Sequence, residues 1–553
     1  MSSFKLQGSE VRIEHSLNKN EEKFRVDRRN TVQQSLQNNG IHCSVDELPN
    51  IALLGSGGGE RAMVGLLGSL VQLQKADLLD CVLYLSGVSG STWCMASLYQ
   101  EPDWSTKLDD VKDKIIQRLG GPAVSWGDSF AKLKKYYYEK DIFSLTDFWA
   151  AMVVTTYVKE IDEQPFTEHW GQHSKDPFPI YTVTDKQCKQ KKEGDPWFEI
   201  TPHEAGYSLI GAFVGVSNFG STFKEGSRIK KQPEIDMLYL QGLCGSALAD
   251  GEENRKFIWQ MIRDFFNHLR SLEEMGKEDP DSHKCLQVLL DLVDMNLSVL
   301  EGKDPSALED SIRTTVDDLS PDKSKLIFPG GKLDVTDKEA AKLYMKQFTL
   351  DVCNNLSVRF SFWPFGLCYS ICRCMVQWIW GRKYNFLYNM TAEPVPVALL
   401  ESKTRDYIDA GLLLNSPYFS VLRKERNVDL IISLDFSDGD PFTTVKDAAK
   451  TCKERNIPFP EVIIPSDDSE KPKDFYVFKG KNVPTVIHIP LFNVVNCGDK
   501  IEDWRKRYGT FQRSLSAEMI TDLMEVAGKN ITNNKVKVVE EIREIIGQKR
   551  SRR

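Results

Sequence analysis

The stretch that most constrains this chain is Asn50–Gln100, NIALLGSGGGERAMVGLLGSLVQLQKADLLDCVLYLSGVSGSTWCMASLYQ. Two short apolar runs, Ile51–Leu54 and Cys81–Leu85, each end in a glycine-bearing turn that opens a segment of helical character. Runs of this length between turn residues fit strands buried on both faces. A right-handed crossover through the intervening helix sets the two strands side by side and parallel. The class predicted is α/β, with a central, mostly parallel sheet flanked by helices.

The second turn, in YLSGVSGSTW (84–93), lifts Ser89 onto a strand-to-helix junction between Gly87 and Gly90. Small neighbours permit a strained backbone there, and the N-terminus of the following helix faces the hydroxyl, as in a nucleophile elbow. The pattern departs from G-x-S-x-G by ending in Ser91, and Gly/Ser turns are also common as plain connections. The first turn, LLGSGGGER, is not a phosphate cradle of either familiar kind. No Lys-Ser/Thr follows its glycines, and Gly55-x-Gly57 leads to Glu60 rather than to glycine. What remains is a run of backbone N–H groups at a helix start, beside the Ser89 turn, able to receive a developing anion. A glycine turn made for close helix–strand packing is the alternative.

A serine nucleophile needs a base. Of the eight His, the one beyond Asp409 is His488 in VIHIP, where alternation makes it a structural strand residue. A Ser-His-Asp order is therefore poorly served. Asp409, in YIDAGLLLNSP, fits a Ser–Asp dyad in which the carboxylate takes the serine proton, although D-A-G alone is also an ordinary turn.

The formal net charge of −8 argues against nucleic acid as a partner. The twelve Cys show no CxxC pairs and no zinc spacing, so reduced thiols are expected, with no metal site. The N-terminus has no apolar signal core, Ser2 excludes myristoylation and the ending KRSRR is not a prenylation box, which together point to the cytosol. Residues 1–45 read as a polar, partly helical extension, and about 100–350 as helical and insertion-like. Strand-like runs return in VDLIISLDF, PEVIIP and PTVIHIPLF, and an amphipathic helix from Lys535 ends in basic residues.

With GSGGGER, SGVSGS and IDAGL in this order, the chain resembles the group IV cytosolic phospholipase A2 family, nearest its calcium-independent gamma branch. The likeness extends over about 45–530, through WFEITPHEAGY, GLCGSAL, YNFLY, DLIISLDFSDGDPF and IPLFN. It implies a patatin-related catalytic domain over 46–530, with a largely helical cap or lid inserted at roughly 105–400, and a basic tail over 531–553. It further implies Ser89 as nucleophile, Asp409 as base, the Gly58 and Gly59 N–H groups as oxyanion hole, and Arg61 and Arg426 as substrate-binding arginines. Substrates would be glycerophospholipids and lysophospholipids, with no cofactor and no metal, at the surface of intracellular membranes. Transfer of the acyl group to a second lysolipid would be a side reaction. Fewer than 50 residues precede the first strand, too few for the calcium-binding C2 sandwich common in the family, so calcium independence is expected.

Membrane contact is expected from FSFWPFGLCYSICRCMVQWIW (360–380), read as an interfacial segment, with a buried cap surface as the alternative. Cys368, Cys372 and Cys374 offer S-acylation sites or core thiols, and the tail GQKRSRR could add attraction to anionic lipid. Two other functions stay open on the sequence: a catalytically silent lipid-binding protein, and a soluble ester or peptide hydrolase using the same dyad.

Overall fold

The computed structural model describes residues 10–171, 173–251, 253–272, 279–320, 333–392 and 394–552. They fall into two units, one of residues 10–132, 149–247 and 383–552, the other of residues 133–148 and 248–382.

The first unit is built on a sheet whose strands, in chain order, are β1 (Val11–Ile13), β2 (Ile51–Gly55), β3 (Tyr84–Gly87), β4 (Phe178–Asp185), β5 (Trp197–Ile200), β6 (Glu204–Tyr207) and β7 (Ala212–Gly215). A small hairpin, β8 (Thr222–Lys224) and β9 (Ser227–Lys230), stands apart. Then come β10 (Arg382–Tyr384), β11 (Thr404–Asp409), β12 (Leu430–Asp435), β13 (Tyr476–Phe478) and β14 (Thr485–Pro490). The spatial order is β1-β7-β6-β5-β4-β3-β2-β12-β14-β13, with β11 lying against β4 and β10 against β11. The centre, β4-β3-β2-β12-β14, is parallel. Both flanks are antiparallel. Every residue of β2, β3, β12 and β14 is buried, which is why these runs are mostly apolar on both faces.

Helices cover both faces. On one lie α1 (Lys19–Asn38), through Phe24, and α11 (Thr443–Arg455), through Val445, Ala448 and Cys452; they pack on Ala52, Leu54, Tyr84, Ile431 and Val486. On the other, α2 (Gly59–Lys75) packs against α3 (Gly90–Leu98) and the 35-residue α12 (Ala517–Ser551). α2 and α12 approach closely because Gly68 and Gly528 lack side chains: a Cβ at Gly68 would stand 2.8 Å from the Met524 carbonyl oxygen. Also in this unit are the start of α4 (Trp126–Glu139) and α5 (Met237–Cys244). The second unit is helical: the end of α4, then α6 (Glu253–Ser271), α7 (Pro280–Leu300), α8 (Ser306–Leu319), α9 (Lys338–Arg359) and α10 (Phe365–Gln377).

Three expectations need correction. The helical reading of 100–350 fails over 178–230, where β4 to β9 form, so the helical unit is narrower than the expected insertion. The polar N-terminal extension is part of the fold: β1 joins the sheet beside β7, and α1 buries Glu21 and Arg28. The interfacial reading of 360–380 is too long: Phe360, Phe365 and α10's Cys368, Cys372 and Cys374 are buried, the cysteines as core thiols, while Phe362 stays exposed. No helix among the described residues is long and apolar enough to cross a membrane. In the basic tail, Lys549 pairs with Asp429 at 2.8 Å and Arg550 with Glu47 at 3.1 Å.

Candidate active site

The edge of β4 brings two chain segments together. β3 runs parallel to β4 until Gly87 stands opposite Tyr181. β5 holds the other edge from Tyr181 to Thr184, so β11, antiparallel to β4, takes up the β3 edge where β3 stops. It ends with Asp409 opposite Val183, two residues beyond the Gly87 position. Two strands thus run head-on along one edge, and the residues at their ends, Ser89 and Asp409, meet.

Ser89 is the N-cap of α3, at φ 50° and ψ −121°, in backbone space that side-chain-bearing residues seldom occupy. The turn is pinned on both sides: the Val88 N–H donates to the Gly55 carbonyl, and the Thr92 N–H to the Ser89 carbonyl. Ser89 is 7% exposed. Asp409 is 1% exposed; its N–H donates to Ser246 Oγ, and its Oδ1 accepts from the Gly411 N–H at 2.8 Å. Oδ2 has no formed hydrogen bond among the described residues. Burial lifts the Asp409 pKa from 3.8 to about 7, against the pull of the Ser89 hydroxyl and the Gly411 N–H. The hydroxyl therefore faces the carboxylate without being locked to it, and near neutrality the carboxylate can hold or release a proton.

The glycine loop lies directly against the elbow. A Cβ on Gly57 would stand 3.1 Å from Ser89 Cβ, and one on Gly90 would stand 1.8 Å from the Gly59 carbonyl oxygen. These glycines exist because two backbones touch there. Gly59 has φ +56°, and Gly58 is the N-cap of α2. Neither Gly58 nor Gly59 donates its N–H to an acceptor among the described residues, so both donors remain available at a helix N-terminus beside Ser89.

Arg61 is the loop's anchor. Its Nε donates to the Phe436 carbonyl at 2.8 Å, Nη1 to the Tyr508 carbonyl at 2.6 Å and Nη2 to Thr510 Oγ1 at 3.2 Å. With 3% of the residue exposed, the guanidinium is engaged with the protein. Arg426 is fully buried, ion-paired with Glu21 at 2.9 Å and Glu199 at 2.6 Å, with its guanidinium over the Tyr84 ring. Burial alone would raise the Glu21 pKa, but Arg426 and Arg423 hold it down at about 2. Arg426 thus ties α1 and β5 together in the interior. His488 is likewise interior, bonded to Ser433 Oγ and the Pro441 carbonyl, and β14 lies three strand spacings, roughly 14 Å, from β3.

Three residues of the site were not foreseen. Asn415 donates from Nδ2 to the Gly57 carbonyl at 3.1 Å, and a Cβ on Gly57 or Gly411 would meet its Oδ1, so it braces both glycine turns. Ser246 holds the Asp409 backbone. Glu60, buried in the first turn of α2, accepts from the Leu515 N–H at 2.8 Å, and burial raises its pKa to about 7. Their sequence signals were slight: Asn415 follows IDAGL by three residues, and Ser246 sits within GLCGSAL.

Comparison with known proteins is consistent across the chain. Residues 51–251 match the family model for the lysophospholipase catalytic domain. Cytosolic phospholipase A2 gamma of Mus musculus is 33% identical over 92% of this chain and 88% of its own length. The Homo sapiens protein of the same name is 33% identical over 98% and 97%. Among solved structures, human GIVD cytosolic phospholipase A2 shares the fold with a TM-score of 0.65 at 19% identity, covering 98% of this chain and 69% of that one.

Proposed function

The chain belongs to the group IV cytosolic phospholipase A2 family and is a phospholipid-hydrolysing enzyme; on that footing we propose that it cleaves fatty-acyl esters of glycerophospholipids and lysophospholipids through Ser89 and Asp409, without calcium. The observation that carries this reading is a strained serine facing a carboxylate whose pKa stands at about 7. Ser89 Oγ attacks the acyl carbonyl while Asp409 accepts its proton. The oxyanion receives the Gly58 and Gly59 N–H groups and the N-terminal fields of α2 and α3. Collapse of the tetrahedral intermediate breaks the ester C–O bond, and Asp409 returns the proton to the departing lysophospholipid or glycerophosphodiester oxygen. Water, deprotonated by Asp409, then frees the fatty acid from the acyl-serine. A lysolipid hydroxyl can replace water at that step, which gives transacylation. Each step balances with one carboxylate and backbone donors, so no metal is called for.

Arg61 serves by holding Gly58 in place: a Cβ there would meet the guanidinium at 2.6 Å. The substrate assigns the enzyme to a lipid surface, which its relatives' cytosolic names suit if attachment is peripheral. The deciding experiment measures fatty-acid release from phosphatidylcholine in detergent mixed micelles with excess chelator. Wild type should release fatty acid, and Ser89→Ala and Asp409→Asn should each lose roughly 10⁴-fold or more. Activity surviving Asp409→Asn would sink the dyad, and activity restored only by calcium would sink the metal-free reading.

A further inference from the structure

The helical unit carries a corner where α9 turns into α10, and its base is firmly packed. Phe360 and Phe365, 2% and 1% exposed, meet with ring centroids 5.9 Å apart. Gly366 lets Tyr137 of α4 lie against the turn, since a Cβ there would stand 2.6 Å from the Tyr137 hydroxyl. On this rigid base the outer side chains are apolar. Phe362 is 52% and Tyr138 60% exposed, and the half-buried Trp363 ring lies 5.8 Å from Tyr138 and 6.1 Å from Tyr137. The exposed Lys134 holds its ammonium 5.0 Å above the Trp363 ring. Val358, in the last turn of α9, is also exposed. An open cleft of about 460 Å³ adjoins the corner, bounded by Tyr137, Tyr138, Phe143, Lys140, Asp141 and Arg373.

Large rings that lie outside a well-packed core gain nothing from folding, and contiguous exposed apolar patches mark contact surfaces. The composition selects the partner. Trp and Tyr with a polar edge, a bare Phe at the tip and a long cation laid over a ring are the groups that settle at a membrane–water interface. Rings reach the boundary between headgroups and acyl chains, while ammonium groups remain at the level of lipid phosphate. Lys134, Lys135 and Arg373 outnumber Glu139 and Asp141 around the corner, so the local charge complements phosphate although the whole chain is acidic.

We propose that this aromatic corner is the surface on which the protein seats on a phospholipid bilayer, with Phe362, Tyr138 and Trp363 entering the headgroup boundary and Lys134 meeting lipid phosphate. The inference rests on the phospholipase reading and names the face that meets the substrate's own membrane.

The test uses the full chain with Ser89→Ala, which removes turnover, sedimented with phosphatidylcholine vesicles and with vesicles containing about one-fifth phosphatidylserine. Adding Phe362→Ser with Tyr138→Ser should weaken partitioning roughly tenfold or more on both vesicles. Lys134→Glu should weaken it roughly fivefold on the anionic ones. Val358→Glu, at an exposed site on the same corner, is an independent variant expected to act in the same direction. Partitioning within about twofold of the parent, in variants whose thermal unfolding is unchanged, would overturn the proposal. So would a parent protein that binds neither vesicle, which would leave the corner as a contact for another protein. The catalytic reading is judged separately with the Ser89-intact chain in mixed micelles: vesicle binding without hydrolysis there would remove the catalytic reading and leave the docking surface standing.

Discussion

At the scale of the residue, Asp409 is held in conflict with its own stability. It is enclosed, its Oδ2 forms no hydrogen bond among the described residues, and its pKa of about 7 records the cost of keeping a carboxylate there. The consequences for activity and for folding run in opposite directions. In the proposed role of base Asp409 must be ionised, so kcat/KM should rise tenfold per pH unit up to about pH 7 and level off above it. A profile flat from pH 5 to 8 would exclude it as the base. For folding, the native state binds the proton more tightly than the unfolded chain, whose carboxyl titrates near 3.8. This contribution is harmless below that value, turns destabilising as pH rises toward 7, and is constant above. Asp409→Asn should therefore be more stable than wild type by about 1–4 kcal/mol at pH 8, with the gap closing toward pH 4. Thermal unfolding of the two proteins across that range checks it. A site tuned for chemistry shows this inverse relation; a merely structural Asp would show the reverse.

At the scale of the element, the site depends on two helix N-termini pressed together. Gly90 opens α3 and Gly59 opens α2, and the contact between them fixes the proposed oxyanion donors relative to Ser89. Gly90→Ala would place a methyl group 1.8 Å from the Gly59 carbonyl oxygen, so the loop must shift. Hydrolysis should fall by at least about 10²-fold, as a displacement near 1 Å at a reacting centre would cause. Mixed-micelle assays with wild-type far-UV dichroism as the folding control read this directly. The same elements explain what could be read in advance. The β2 and β3 turns were legible because glycine and serine at a strand end are local signals, and two of them in sequence imply a crossover. Asp409 became legible only with the other motifs beside it. The strands β4 to β7 were missed because FPIYTVTD and WFEI carry interior polar groups such as Thr182, Thr184 and Glu199, whose partners belong to other segments. Asn415 was missed for the same reason: its value lies in a contact with Gly57, 358 residues away.

At the scale of the whole molecule, the sheet unit is tied by charges whose partners are hundreds of residues apart. Glu21 of α1 meets Arg426 across 405 residues of chain, and Arg426 also meets Glu199 of β5. Tyr84 of β3 donates to Glu21, and Arg25 reaches the Arg426 carbonyl. No local pattern announces such a cluster, so the sequence carried Arg426 by its motif alone, without these interior partners. The distinction is measurable. Arg426→Met leaves two buried carboxylates short of their cation, a change that costs about 3–5 kcal/mol. The melting temperature should fall by several degrees, while KM for the folded protein stays near wild type; a raised KM at unchanged stability would instead support the substrate-binding role. Deleting residues 1–45 removes the other partner, together with β1 and the buried Arg28, and should abolish cooperative folding altogether. Arg550→Ala, by contrast, breaks an exposed, solvent-screened pair with Glu47 and should leave the melting temperature near wild type. If the truncated chain instead kept its melting temperature, the N-terminal helix would be an appendage and the Glu21–Arg426 tie dispensable. The enclosure of both side chains, 0% and 0% exposed, argues that it is not.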